Sequence, residues 1–320
     1  MQFPILLALF TLLAVLPSEF AMAAAVTKTF RHPVVAVSHG PGPLWLLNDG
    51  FYGKDSDAAR NVGSIFKRLY PTNENLPKRI LFISAHWQSK DRTAFEISTS
   101  STPDMIYDYY GFPDESYSIR YQAKGDPEFA TKVAKQMTEH QIKTKLVSRG
   151  YDHGTFVPMM LIRPEADIPI VTMSINDRFD AQTHFQVGKA IASLRDDDTL
   201  IICSGQATHN MYAGFEPLEP IEPWAQGFQD WMDDTFTARS MLSYDDRQSA
   251  VENWRKVPTA KKAHPSPDHF TPFVVAAGAG MDTEFPSGTK LFGGWGGQLS
   301  FASYAWGVDM NASDDIRDEL

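Results

Sequence analysis

Four histidines recur at comparable places along the chain: His39 after PVVAVS, His86 after ILFISA, His153 after KLVSRGYD and His209 after LIICSGQAT. Each stands at or just beyond the end of a short apolar run that reads as a buried strand. When such strands lie parallel in an open α/β sheet, their carboxyl ends share one edge, and ligands bind in the crevice there. Imidazoles gathered at that edge without cysteine partners form a donor set for a metal ion with an open coordination position. An oxygen-activating iron and a catalytic zinc both fit it. The stretch HPSPDHFTP, residues 264–272, carries two more histidines between prolines that stiffen its course. Their five-residue spacing sends the rings to different sides. His269 opens the apolar helix beyond it and is the candidate metal ligand; His264 is left as a pocket-wall group or a turn residue. Asp268 is expected to cap that helix.

The elements that must position these groups alternate. Runs at 33–37, 79–87, 168–175 and 199–204 are apolar and rich in β-branched residues, as buried strands are, and 144–148 alternates like a strand. Helical spacing occupies 57–69, 126–140, 155–162, 181–194, much of 223–255 and 273–280, and two strand-like runs close the chain at 289–295 and 298–305. His140, at the polar end of its helix, reads as solvated, and His184 as a packing or surface group. This rhythm predicts one α/β domain with a mostly parallel central sheet flanked by helices, and the metal site at the carboxyl ends of the strands. Between 99 and 121 regular patterning fails and aromatics crowd in, including Tyr107, Tyr109, Tyr110, Phe112 and Tyr117. A long unpatterned loop of that kind is a lid, a pocket wall or a cover over the core.

Composition narrows the partners. With 39 acidic against 29 basic residues and no basic block, the chain is not built to clamp nucleic acid, so small molecules are the expected partners. No G-x-S-x-G elbow comes after a strand, and no G-x-G-x-x-G opens a helix after the first one. Cys203 is the single cysteine and lies within an apolar run, which makes it a core residue rather than a nucleophile. Residues 1–23 have the layout of a secretory signal peptide, and the tail at 310–320 ends Arg-Asp-Glu-Leu, close to the KDEL retrieval signal. Together they predict residence in the endoplasmic reticulum lumen, with secretion as the alternative and no stable membrane insertion after cleavage. The catalytic domain then spans 24–309.

Seven ordered blocks, SHGPGPLWL, SAHW, YGFPDESY, DHGTFVPM, IPIVTMSI, SGQATHN and HPSPDHFTP, are similar to the class III extradiol ring-cleavage dioxygenases of B-subunit type, in particular the 4,5-DOPA dioxygenase extradiol-like branch. The resemblance implies that His39, His86 and His269 bind one metal ion per chain, Fe(II) or Zn(II). It implies that His209 acts as acid/base and approaches the metal closely enough to serve as a ligand in some forms, and that His153 is a second catalytic histidine. Tyr110 and Phe112 would line the ring pocket with His264. Many enzymes of the class use a carboxylate as third ligand, where this chain offers His269 beside Asp268. The implied reaction inserts O2 next to the diol of a small aromatic, DOPA-like catechol. A non-catalytic metal-binding role and a zinc-dependent hydrolase are the alternatives the same histidines allow.

Overall fold

The computed structural model describes residues 30–308, apart from 49, 215, 217 and 218; the signal-peptide and retrieval-tail expectations lie outside the described residues. An eight-stranded sheet runs in the order β4-β3-β5-β2-β6-β1-β10-β7. Its strands are β1 (Val34–Ser38), β2 (Arg79–Gln88), β3 (Phe95–Ser98), β4 (Thr144–Val147), β5 (Ile170–Ile175), β6 (Thr199–Gly205) and β7 (Thr289–Phe292), with β10 (Ser303–Trp306). The small strands β8 (Trp295–Gly296) and β9 (Leu299–Ser300) pair separately. At the centre, β5, β2, β6 and β1 are all parallel. These strands read as continuous apolar runs because both faces are covered. Alternate side chains serve two cores: Ala36, Leu81, Ile83, Ile201 and Cys203 face one, and Val35, Phe82, Leu200 and Ile202 face the other.

The first core is closed by α3 (Pro127–Glu139), α5 (Ala181–Ile191), α6 (Pro223–Phe236), α7 (Tyr244–Glu252), α8 (Ala260–Ala263) and α9 (Thr271–Gly280). The second is closed by α1 (Asp57–Gly63), α2 (Ile65–Leu69) and α4 (His153–Ile162). Local chemistry starts several of these helices: the side chains of Ser56, Asp126 and Asp180 accept from backbone N–H groups of the first turn, and Ser243 with Asp246 forms a capping box. His184 of α5 is a packing group, buried with Nδ1 donating to the Asp180 carbonyl. No helix among the described residues is long and apolar enough to cross a membrane.

Three sequence expectations change. The short strand β3 is an addition to the sequence reading: its four residues FEIS alternate apolar and polar over too short a run to stand out, and all four are buried, Glu96 accepting from Trp87 Nε1 at 3.1 Å. It pairs antiparallel with β5 and parallel with β4, so β4 runs against the central strands and its carboxyl end points away from their shared edge. Asp268 does not cap α9, which begins at Thr271 without a side-chain cap; its carboxylate accepts from His269 instead.

The exit of β6 is where fold and site meet. Gly205 allows the 264–269 segment to pass against the sheet: a Cβ there would lie 2.1 Å from the His269 carbonyl oxygen, which accepts from Gln206 N–H at 3.0 Å. Gly205→Ala is therefore expected to push this segment outward, lowering stability by about 1–3 kcal/mol and weakening metal affinity in parallel. Urea denaturation and a Zn(II) titration check both, and a variant equal to the parent in both would show that the segment yields without cost.

Candidate metal centre

Five of the histidines singled out above converge on one place, delivered by several different routes. His39 comes directly after β1, and its backbone N–H donates to the Gly205 carbonyl of the neighbouring β6. His86 lies in the last part of β2. His209 leaves the β6 exit, held by its N–H donating to Ala263 O. His269 comes in from the segment against Gly205. His153 arrives differently from expectation, since β4 ends at the wrong edge. It is the first residue of α4, and the turn before it is anchored by Asp152, which accepts from Ser84 Oγ at 2.7 Å, and by Arg149, which donates to the His86 carbonyl at 3.3 Å.

The orientation of the rings is set by their outer partners. Ser204 Oγ donates to the Gly154 carbonyl at 2.6 Å, so toward His39 it can only accept, and His39 Nδ1 donates to it at 3.0 Å. Asp108 accepts from His86 Nδ1 at 3.0 Å and from His153 Nδ1 at 2.8 Å. Burial would raise the Asp108 carboxyl, but its hydrogen bonds from His153 and His86 hold it well below the usual carboxylate range, ionised and accepting only. His269 Nδ1 donates to Asp268, whose carboxyl is likewise lowered by His269 against the opposing effect of burial.

With each of these Nδ1 atoms occupied as a donor, the Nε2 atoms carry the lone pairs, and these face one another. His86 Nε2 lies 3.3 Å from His39 Nε2 and 3.1 Å from His269 Nε2. One ring nitrogen from each of His39, His86 and His153 also lies within 4.8 Å of the other two. A proton on His86 Nε2 serves only one of the two short contacts, whereas a cation at the focus serves all the lone pairs. Nitrogens bound tetrahedrally at the usual metal distance are separated by roughly 3.3–3.4 Å, so the observed spacing fits an ion. Electrostatics agree. Burial, and then the neighbouring imidazoles, push His39 and His269 well below their ordinary value and lower His153 as well, which keeps these rings neutral as ligands must be. His86 alone is raised, because the Asp108 hydrogen bond and charge outweigh its burial.

His209 has a different setting. Its ring lies flat on His269, 3.6 Å between centroids and 5° between planes, and its nitrogens have no hydrogen-bond partner among the described residues. Burial lowers it to about 4, with Asp268 opposing, so it is a neutral base at pH 7.

The wall residues fall otherwise than the sequence reading placed them. Tyr110 is 91 % exposed and points into solvent. Its neighbour Tyr109 is buried, 5.6 Å from the His153 ring, and half-buried Phe112 stands behind Tyr109 at 5.4 Å. His264 has no exposed surface at all; it is enclosed by Phe228, Trp254 and Phe270, with Nε2 on the Ala207 carbonyl at 3.0 Å, and so it is a packing residue. Asp108, Ser204 and Asp152 escaped the sequence reading. For Asp108 the available signal was a lone acid inside a run of tyrosines.

A mostly parallel α/β sheet with imidazole lone pairs converging at the carboxyl edge of its central strands forms a candidate metal centre built from histidines. The family model described as the catalytic LigB subunit of aromatic ring-opening dioxygenase matches residues 33–296. The chain belongs to that family, whose members are metal-dependent. It is 36% identical over 231 residues to 4,5-DOPA dioxygenase extradiol of Beta vulgaris, covering 71% of this chain and 82% of that one. With the Portulaca grandiflora protein of the same name it shares 33% over 273 residues, covering 84% and 93%. The solved structure of an uncharacterized Escherichia coli K12 protein, JW3007, superposes with a TM-score of 0.66 at 25% identity, covering 87% of this chain and 100% of that one.

Proposed function

We propose that the protein is an extradiol ring-cleavage dioxygenase acting on a small catechol of DOPA-like type. The observation that carries this reading is the convergence of the His39, His86 and His269 Nε2 lone pairs, with a fourth, unpaired imidazole, His209, stacked beside them. The names of the relatives, 4,5-DOPA dioxygenase extradiol, support the substrate class. His39, His86 and His269 hold the ion, either Fe(II) or Zn(II) by donor type, with Fe(II) the species for oxygen chemistry. Held by these three imidazoles, a bound ion would supply the Lewis-acid and redox chemistry that the insertion of dioxygen beside the diol requires. His209 takes a proton from a diol hydroxyl and later returns it, a task suited to a neutral imidazole with no competing partner. Asp268 keeps the His269 lone pair aimed inward, Ser204 does the same for His39, and the Tyr109–Phe112 wall screens the His153 side from water.

Anaerobic reconstitution with Fe(II), then addition of DOPA or another catechol and finally oxygen, is expected to consume oxygen equimolar with catechol and to yield a yellow semialdehyde. Protein loaded with Fe(II) that turns over no catechol would overturn the proposal.

A further inference from the structure

Asp108 is the one point at which the irregular 99–122 loop grips the histidine cluster through hydrogen bonds. Its two oxygens divide between the rings: Oδ2 receives His86 Nδ1–H at 3.0 Å, and Oδ1 receives His153 Nδ1–H at 2.8 Å. Oδ1 also accepts the backbone N–H of His153 at 3.0 Å. That N–H belongs to the first turn of α4, whose own N-cap residue, Asp152, makes no side-chain capping bond because its carboxylate is engaged by Ser84, Thr155 and Arg149. A carboxylate from a distant loop therefore does the work of a cap, and it does so only while the loop is in place. The residue next to it, Tyr109, is laid against His153 and tied back into the loop by its hydroxyl on the Ser116 carbonyl at 2.7 Å. Beyond these bonds the segment around Asp108 has little regular pairing, with a single bridge from Met105 to Tyr151.

We propose that Asp108 is a positioning residue that couples metal occupancy to the seating of this aromatic loop. The physics is reciprocal. A cation on His86 Nε2 withdraws charge from the ring and makes its Nδ1–H a stronger donor to Asp108, which tightens the loop. A seated Asp108 in turn holds the His86 and His153 rings in one tautomer with Nε2 inward, which strengthens metal binding by the same factor. The wall of Tyr109 and Phe112 is thus completed when the ion is present, and an empty centre leaves the wall loosely held. This rests on the reading that the histidines hold a metal, and is independent of ring cleavage.

Amide hydrogen exchange of residues 105–112, measured on the full chain with and without Zn(II), tests it, together with Zn(II) affinity by chelator competition. In the parent, Zn(II) is expected to slow exchange in this segment roughly 5- to 100-fold. An amide at Asp108→Asn has one acceptor oxygen in place of two, so affinity should fall about 10- to 100-fold and the Zn(II)-dependent slowing should vanish. The visible spectrum of bound Co(II) should shift as His86 and His153 lose their common anchor. A parent that binds Zn(II) with unchanged loop exchange overturns the coupling alone, and does so even if the variant fails to fold. A parent that binds no metal overturns the metal reading and the coupling together. A folded Asp108→Asn with the parent's affinity, Co(II) spectrum and slowing removes Asp108 from the role.

Discussion

His86→Ala is expected to abolish metal retention and, with it, oxygen-dependent turnover. Of the converging rings, His86 alone makes both short Nε2 contacts, to His39 at 3.3 Å and to His269 at 3.1 Å. Removing it takes away the central lone pair and leaves Asp108 with one ring donor fewer in a partly buried place. His39→Ala should behave alike, since its ring is buried, fixed by Ser204 and set with Nε2 against that of His86. The loss also reads as stability. A ligand bound only by the folded state at 1,000 times its Kd stabilises by about 4 kcal/mol, so added Zn(II) should raise the melting temperature of the parent and leave both variants unmoved. His140→Ala, an exposed histidine at the end of α3, is the control and should respond as the parent does. Variants of His39 and His86 that retain stoichiometric metal after dialysis would show that the ion sits elsewhere.

The second large effect separates holding the ion from using it. His209→Phe keeps a flat ring against His269 but removes both nitrogens, and the stack at 3.6 Å shows that a planar ring fits there. Metal content should stay near that of the parent, while turnover of a catechol should fall by about 10²- to 10⁴-fold, the usual contribution of a positioned acid/base. His209→Ala should lose turnover equally and some metal as well, because His269 then has no ring supporting its face. The distinguishing measurement is metal content beside turnover number for the same preparation. If His209→Phe loses its metal along with its activity, His209 is a ligand rather than the proton carrier.

Much of this was legible from the chain alone, for identifiable reasons. The central strands announce themselves because burial on both faces demands unbroken apolar runs such as PVVAV, ILFIS and LIIC, and parallel strands bring the residues just past their carboxyl ends to one edge. His39, His86 and His209 could therefore be assigned to one place by counting strand ends. His153 was assigned there by the same count, yet β4 is antiparallel to the central strands, and it is the turn at 148–152 that carries this histidine to the cluster. Strand direction depends on which edge a strand joins, and no local pattern encodes that.

Residue type and strand order, then, determined the fold class and the histidines at the site, because periodicity is a local property and imidazole has few other reasons to recur at strand ends. Only the tertiary structure decided how each ring is turned. The Nδ1 partners Ser204 and Asp108 lie on segments remote from the rings they turn, and a hydrogen bond between segments leaves no trace in either one; Asp268 adjoins His269 in the chain, yet its carboxylate could as well have capped the helix that follows. The structure alone also distinguished Tyr109 against His153 from Tyr110 in solvent, and His264 enclosed in the core from His269 against the ring of His86. Adjacent or near-adjacent residues of the same type differ there only in the direction of a side chain, which the surrounding packing sets.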